Sequence, residues 1–147
     1  MNSLQAVIDA NIAIPKLIPT AQTAQTLLLW DKFQRERVSL YAPRLWVYEI
    51  TSAIQKYLAT GQISEAEKDE AIKTALEMNI HFVEDSVELC IEATSWAKRM
   101  NQMVAYDGFY LATAEQLKAP LWTADKRLVA NADQLGVKWV HWLGDLK

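Results

Sequence analysis

Two carboxylates in this sequence stand directly after short apolar runs, where strands of a parallel sheet would end. Asp9 follows Ala6-Val7-Ile8, and Asp125 follows Pro120-Leu121-Trp122-Thr123-Ala124. In open α/β sheets, ligands bind beyond the carboxyl ends of the strands, where the strand order reverses. If these two strands are neighbours in the sheet, the two carboxylates meet at that edge.

Two further acids stand inside apolar segments. Glu49 belongs to the helical pattern Leu45-Trp46-Val47-Tyr48-Glu49-Ile50, and Asp107 to Ala105-Tyr106-Asp107-Gly108-Phe109-Tyr110-Leu111. A buried carboxylate is unfavourable unless it is paired, protonated or bound to a cation. Both acids are therefore candidates for the same site.

Four carboxylates that face one point would favour a bound cation. At about 4 Å and an effective dielectric near 20, each pair repels by roughly 4 kcal/mol. Without a cation the pKa values of such a cluster should rise. Hard oxygen ligands suit Mg²⁺ or Mn²⁺, which can activate water and stabilise charge on a phosphate.

Each acid also has a simpler interpretation when it is taken alone. Asp9, Asp107 or Asp125 could only cap a helix, and Glu49 could reach solvent.

Strands and helices alternate along the chain, which predicts an α/β fold with a mostly parallel sheet covered on both faces. The predicted strands are residues 6–8, 38–41, 80–83, 120–123 and 137–142. Thr20 is predicted to cap a helix that reaches Phe33. Ser64 and Glu67 form a capping box that predicts the start of a helix reaching about Met78. Further helices are expected over residues 44–60, 86–100, 106–117 and 125–135.

The composition is that of one globular domain, residues 1–147, with half of its residues hydrophobic. Its single cysteine, Cys90, excludes an internal disulfide or a cysteine-based zinc site, and its helical context predicts burial. No signal peptide or membrane-spanning run is recognisable, so we expect a cytoplasmic protein. A net charge of −3 argues against a protein that coats nucleic acid nonspecifically.

Four segments, in this order, resemble the PIN domain of VapC-type toxins, and the resemblance covers essentially the whole chain. They are Val7-Ile8-Asp9-Ala10-Asn11; Tyr41-Ala42-Pro43 with Tyr48-Glu49-Ile50-Thr51-Ser52-Ala53; Ala105-Tyr106-Asp107-Gly108-Phe109-Tyr110-Leu111-Ala112; and Ala119-Pro120-Leu121-Trp122-Thr123-Ala124-Asp125-Lys126-Arg127-Leu128.

The resemblance implies a three-layer α/β/α sandwich of about five strands and an endoribonuclease that cleaves single-stranded RNA with Mg²⁺ or Mn²⁺. The implied partners are a small antitoxin, as in VapBC-type pairs, and a second copy of the chain. The implied catalytic and metal-binding residues are Asp9, Glu49, Asp107 and Asp125, with Asn11 and Thr123 as polar support. Some relatives carry another acid beyond the last aspartate, but Lys126 and Arg127 stand here and could contact an RNA backbone.

Three alternatives remain at this point. A receiver-like phosphoacceptor domain usually has an acid pair after its first strand, and only Asp9 is present. A haloacid-type phosphatase would need an aspartate where Asn11 stands. A catalytically inactive PIN-like module that binds a protein or RNA would have no physical reason to retain the four acids.

Overall fold

A computed structural model describes residues 4–146 of the chain. The elements are β1 (Gln5–Ile8), α1 (Ala10–Leu17), α2 (Thr23–Arg35), β2 (Ser39–Pro43), α3 (Leu45–Ala59), α4 (Glu65–Leu76), β3 (His81–Val83), α5 (Val87–Arg99), α6 (Tyr106–Leu117), β4 (Leu121–Thr123), α7 (Lys126–Gln134) and β5 (Val140–Trp142). A short 3-10 helix, Leu143–Asp145, follows β5.

The five strands form one sheet in the order β3-β2-β1-β4-β5, and every pair of neighbours is parallel. Right-handed crossovers place α1–α4 over one face of such a sheet and α5–α7 over the other. The predicted α/β sandwich is confirmed. The strand order reverses between β1 and β4, so the predicted ligand edge lies between Asp9 and Asp125.

The sequence prediction missed helix α1, and Thr20 does not cap the following helix. Helix α1 contains Pro15 and buries five of its eight residues in succession or nearly so, so its sequence has neither polar periodicity nor an uninterrupted set of amide donors. Thr20 instead accepts a hydrogen bond from the amide of Gln22 in the turn before α2. Burial against the sheet therefore determines this helix more than local preference does.

Most other predicted elements are present with slightly different ends. Ser64 and Glu67 form the predicted capping box, and Ser86 caps α5. Strand β5 is shorter than predicted, because it begins at Val140. The prediction that Cys90 is buried was wrong: it lies on the exposed side of α5, while Leu89 and Ala93 face inward.

The core lies on both faces of the sheet and positions the edge that carries the acids. The largest fully buried side chains include Trp46, Tyr110, Ile8, Ile12 and Leu121. Helices α5 and α6 pack very closely, since a Cβ on Gly108 would lie 2.1 Å from the carbonyl oxygen of Ala93. Within residues 4–146, no helix is long and apolar enough to cross a membrane.

Candidate active site

Asp9 lies at the carboxyl end of the central strand and is 7% exposed. Strands β1 and β4 are paired, with Ile8 opposite Trp122, and the amide of Asp9 donates to the carbonyl of Trp122 at 2.9 Å. The hydroxyl of Thr123 donates to Oδ2 of Asp9 at 2.9 Å. The condition stated for the sequence, that these two strands are neighbours, is therefore met.

Thr123 connects the ends of the two strands. Its Oγ1 also accepts hydrogen bonds from Nδ2 of Asn11 at 3.2 Å and from the amide of Asp125 at 3.0 Å. Oδ1 of Asn11 accepts from the amide of Ala124 at 2.9 Å. Asn11 and Thr123 thus hold the backbone around both aspartates in one arrangement.

Asp125 caps helix α7, so the simpler interpretation of this residue is also correct. Its Oδ1 accepts from the amides of Arg127 at 3.0 Å and Leu128 at 3.2 Å. Capping uses one carboxylate oxygen, and the second accepts no hydrogen bond from the residues described. Asp9 occupies the N-cap position of α1 but makes no side-chain capping bond. Its burial is therefore not explained by helix capping.

Glu49 projects from the first half of α3 and is held by a buried tyrosine. The hydroxyl of Tyr110 donates to Oε1 of Glu49 at 2.5 Å, and Tyr110 is 1% exposed. Sequence reasoning missed this role of Tyr110. The available signal was its position three residues after Asp107, which places both side chains on one side of α6.

Asp107, in the first turn of α6, is held by an amide from the preceding loop. Nε2 of Gln102 donates to Oδ2 of Asp107 at 2.8 Å. Oε1 of Gln102 is buried and has no hydrogen-bond partner within residues 4–146. Nothing in the sequence pattern singled out Gln102.

Burial and mutual repulsion raise the pKa values of three of the acids. The pKa of Asp9 is raised to about 7, first by burial and then by the charge of Glu49, against the hydrogen bond from Thr123. Burial also raises the pKa of Glu49, and the hydrogen bond from Tyr110 opposes this increase. The negative charge of Asp107 raises the pKa of Glu49 further. Burial raises the pKa of Asp107, and Asp125 adds to that increase. The four acids therefore act on one another electrostatically.

None of the four acids has a cationic partner in the part of the chain described here. The ion pairs found there all involve other carboxylates. Glu49, Asp107 and Asp125 each have one oxygen in protein hydrogen bonds and the second oxygen without any. This set of anionic oxygens fits a hard divalent cation.

The four acids do not form a complete coordination shell for a metal ion within the residues described. Among residues 4–146, no three His, Cys, Asp or Glu side chains converge closely enough to hold a metal ion. Separate hydrogen bonds from Tyr110, Gln102 and the start of α7 hold three of the acids, and like-charge repulsion opposes their closer approach.

The side chains of the two basic residues after Asp125 lie in different surroundings. Nζ of Lys126 lies 4.8 Å from the centre of the Trp142 ring, in a cation–π contact. Arg127 is exposed. Their predicted contact with RNA stays a prediction.

Comparison with known proteins relates this arrangement to a family. The chain matches the family model described as PIN domain over residues 7–139. No match was found among curated protein sequences.

Three solved structures have similar folds. The crystal structure of PAE2754 from Pyrobaculum aerophilum has a TM-score of 0.69 and 21% identity, covering 98% of this chain and 93% of that one. A toxin-antitoxin complex from Klebsiella pneumoniae has a TM-score of 0.64 and 17% identity, with 94% and 97% covered. VapBC-1 from nontypeable Haemophilus influenzae has a TM-score of 0.65 and 14% identity, with 97% and 100% covered. At these identities the structures show the fold, and the family match over most of the sequence shows the rest: the chain belongs to the PIN domain family.

Proposed function

We propose that this protein is a divalent-metal-dependent endoribonuclease that hydrolyses phosphodiester bonds of single-stranded RNA. The observation that carries the proposal is the buried Asp9, whose pKa is raised to about 7 among Glu49 and Asp107. A fold stabilised only by packing gains nothing from such a group. A site that binds a cation does gain, because the same charges then attract the ligand.

Asp9, Asp107 and Asp125 would hold Mg²⁺ or Mn²⁺, and Glu49 would complete the set. When bound, such a cation lowers the pKa of water and offsets negative charge on the phosphate. Thr123 and Asn11 orient Asp9 and the strand end beside it. Hydrogen bonds fix Asp107 and Asp125 through one oxygen each and leave the second oxygen for the ligand.

Glu49 is suited to accept a proton from the attacking water. Tyr110 binds Oε1 and leaves Oε2 available. Burial raises the pKa of this carboxyl, which makes it a stronger base than a fully solvated carboxylate. Lys126 and Arg127 stand beside Asp125 and supply positive charge for the RNA backbone.

We further propose that the protein is the toxin of a toxin–antitoxin pair. Support comes from the similar solved structures, several of which are toxin–antitoxin complexes. An open groove of about 800 Å³ away from the acids offers a mixed surface for a protein partner, lined by apolar side chains such as Trp30 and by charged ones such as Asp31 and Glu77. Homodimerisation stays a prediction.

The decisive experiment is cleavage of mixed single-stranded RNA by the purified chain in Mg²⁺, Mn²⁺ or EDTA, beside the Asp9→Asn variant. We expect metal-dependent cleavage by the wild type and a loss of at least about a hundredfold in the variant, since the variant lacks a charged ligand. Equal cleavage by both chains would show that Asp9 is not part of the site. If the chain is also a toxin, its expression should arrest growth of the host, and expression of Asp9→Asn should not.

The alternative is a PIN domain that binds a partner without catalysis. The observation in its favour is that the acids do not converge on one point in the described residues. Such a module should not respond to Mg²⁺ or Mn²⁺. Absence of RNA cleavage, together with no heat of Mn²⁺ binding in calorimetry, would establish it.

A further inference from the structure

Two tyrosines next to the acids are exposed, although the protein buries its other aromatic rings wholly or partly. The chain has six Trp, five Tyr and three Phe, all within the residues described. Of these rings only Tyr48, at 64%, and Tyr106, at 56%, belong to exposed residues. Each stands immediately before a site acid, Tyr48 before Glu49 and Tyr106 before Asp107.

The fold places both tyrosines on helix starts at the edge of the sheet that carries the acids. Tyr48 is the fourth residue of α3 and Tyr106 is the first residue of α6. Both helices begin at the carboxyl edge of the sheet, the edge that carries Asp9 and Asp125. Glu49 and Asp107 are close enough that the charge of Asp107 raises the pKa of Glu49.

The two rings have different neighbours. Met103 and Val104, in the loop before α6, are also exposed, so Tyr106 continues an apolar rim. Tyr48 lies one helical turn after Arg44, an exposed residue whose guanidinium is paired with the carboxylate of Glu84. The flat face of a tyrosine ring suits a nucleobase, and stacking on a base requires no particular base sequence.

We infer that Tyr48 and Tyr106 are stacking platforms for two unpaired nucleobases of an RNA strand whose phosphate lies at the acids. This inference rests on the proposed function and deepens it. It supplies a physical reason for selecting single strands, because paired bases are stacked in the duplex and cannot offer their faces. Scattered exposed rings are common on proteins, so the inference depends on the position of this pair and not on exposure alone.

The test measures affinity for a single-stranded oligoribonucleotide of about ten nucleotides by fluorescence anisotropy. Binding is measured in Mg²⁺ with all chains carrying Asp9→Asn, so that the RNA stays intact. We expect Tyr48→Ala and Tyr106→Ala each to weaken binding about tenfold, and Tyr→Phe at either position to retain it. The matched control is Leu135→Ala, which removes an exposed apolar side chain just after α7, at the opposite edge of the sheet, and should leave affinity unchanged.

An RNA with abasic sites identifies stacking directly. An abasic nucleotide at the position that stacks on Tyr48 should weaken binding to the protein that retains this tyrosine by the same factor as Tyr48→Ala does. The two changes combined should weaken binding no more than either change alone. The same non-additivity is expected at a second position for Tyr106. A 2-aminopurine base at either position should lose fluorescence on binding only when the corresponding tyrosine is present.

The outcomes separate this inference from the proposed function. If the wild type cleaves RNA but the tyrosine-to-alanine chains bind as tightly as their parent, the inference is overturned and the nuclease stands. If the wild type neither cleaves nor binds RNA, the proposed function falls and this inference with it. If RNA affinity is unchanged but the alanine variants alter the sedimentation of the protein, the two rings belong to a protein interface and not to an RNA site.

Discussion

At the scale of single residues, each acid of the site is held in a different way. Asp9 is bound by a threonine of the neighbouring strand, Glu49 by a buried phenol and Asp107 by a loop amide. Asp125 is held by backbone amides of the helix that it caps. The supporting groups come from four parts of the chain, so damage to one of them should affect one acid before it affects the others.

Tyr110→Phe tests this independence at Glu49. The change removes only the hydroxyl, and with it a hydrogen bond that lowers the pKa of Glu49. We expect the pKa of Glu49 to rise, as followed by carbon NMR of the glutamate carboxyls, and the free energy of unfolding to fall by about 1–2 kcal/mol.

Tyr57→Phe is the matched control, because Tyr57 is half-buried on the same helix as Glu49 and its hydroxyl makes no side-chain hydrogen bond in the part of the chain described. An unchanged glutamate titration in Tyr110→Phe would show that the phenol does not position Glu49.

The sequence could predict that these four acids lie near one another but not which groups hold them. Carboxylates inside apolar segments are visible in a sequence, since their burial conflicts with their charge. Tyr110 and Gln102 cause no such conflict, because a tyrosine or a glutamine beside a buried helix is ordinary. Their roles depend on contacts across the fold, such as the 61 residues between Glu49 and Tyr110.

At the scale of elements, the tight contact between α5 and α6 positions Asp107. Gly108, the next residue, lies against the backbone of Ala93, where a Cβ would overlap the carbonyl oxygen. We expect Gly108→Ala to lower the free energy of unfolding by about 1–3 kcal/mol, measured by urea denaturation, because the two helices must separate.

Gly61→Ala is a useful contrast. Gly61 has open space around its Cβ position but a φ of +75°, so alanine there meets backbone strain of about 1 kcal/mol without a clash. Since Gly61 ends α3 far from the acids, only Gly108→Ala should also reduce the proposed RNA cleavage. Equal cleavage by the two variants would mean that the helix contact does not position Asp107.

Elements with polar periodicity or clear caps were predictable, and α1 was not. The capping box at Ser64 depends on neighbouring residues alone, so the sequence contains all of the information for it. Helix α1 is short, includes Pro15 and packs against α2, α3 and α4. Its helical state follows from tertiary burial, which no window of eight residues can reveal.

At the scale of the whole molecule, the acid cluster makes stability depend on pH in an unusual direction. Burial and the neighbouring carboxylates raise the pKa of Asp9 in the folded state to about 7, from an ordinary value of 3.8. Between about pH 4 and pH 7 the folded state therefore binds more protons than the unfolded state, and stability falls as pH rises through this window. The full loss is up to roughly 4 kcal/mol from Asp9, and Glu49 and Asp107 act in the same direction.

Urea denaturation at pH 5 and pH 8 in EDTA checks this expectation. The wild type should be less stable at pH 8, Asp9→Asn should show a smaller difference, and Asp85→Asn, which changes an exposed acid, should follow the wild type. Mn²⁺ should restore stability at pH 8 in the wild type, since a ligand that binds only the folded state stabilises it. A wild-type stability independent of pH would contradict the raised pKa of Asp9.

The parallel sheet has a further consequence, for the order in which the candidate site is assembled during synthesis. Of the five strands described, the central one is made first, and its partner β4 is more than a hundred residues later in the chain. Asp9 receives its hydrogen bond from Thr123 only when that strand has been made and inserted. A nascent chain that contains Asp9, Glu49 and Asp107 but not yet β4 therefore lacks both the hydrogen bond that orients Asp9 and the fourth acid, Asp125, so the candidate site is assembled only after β4 has been inserted.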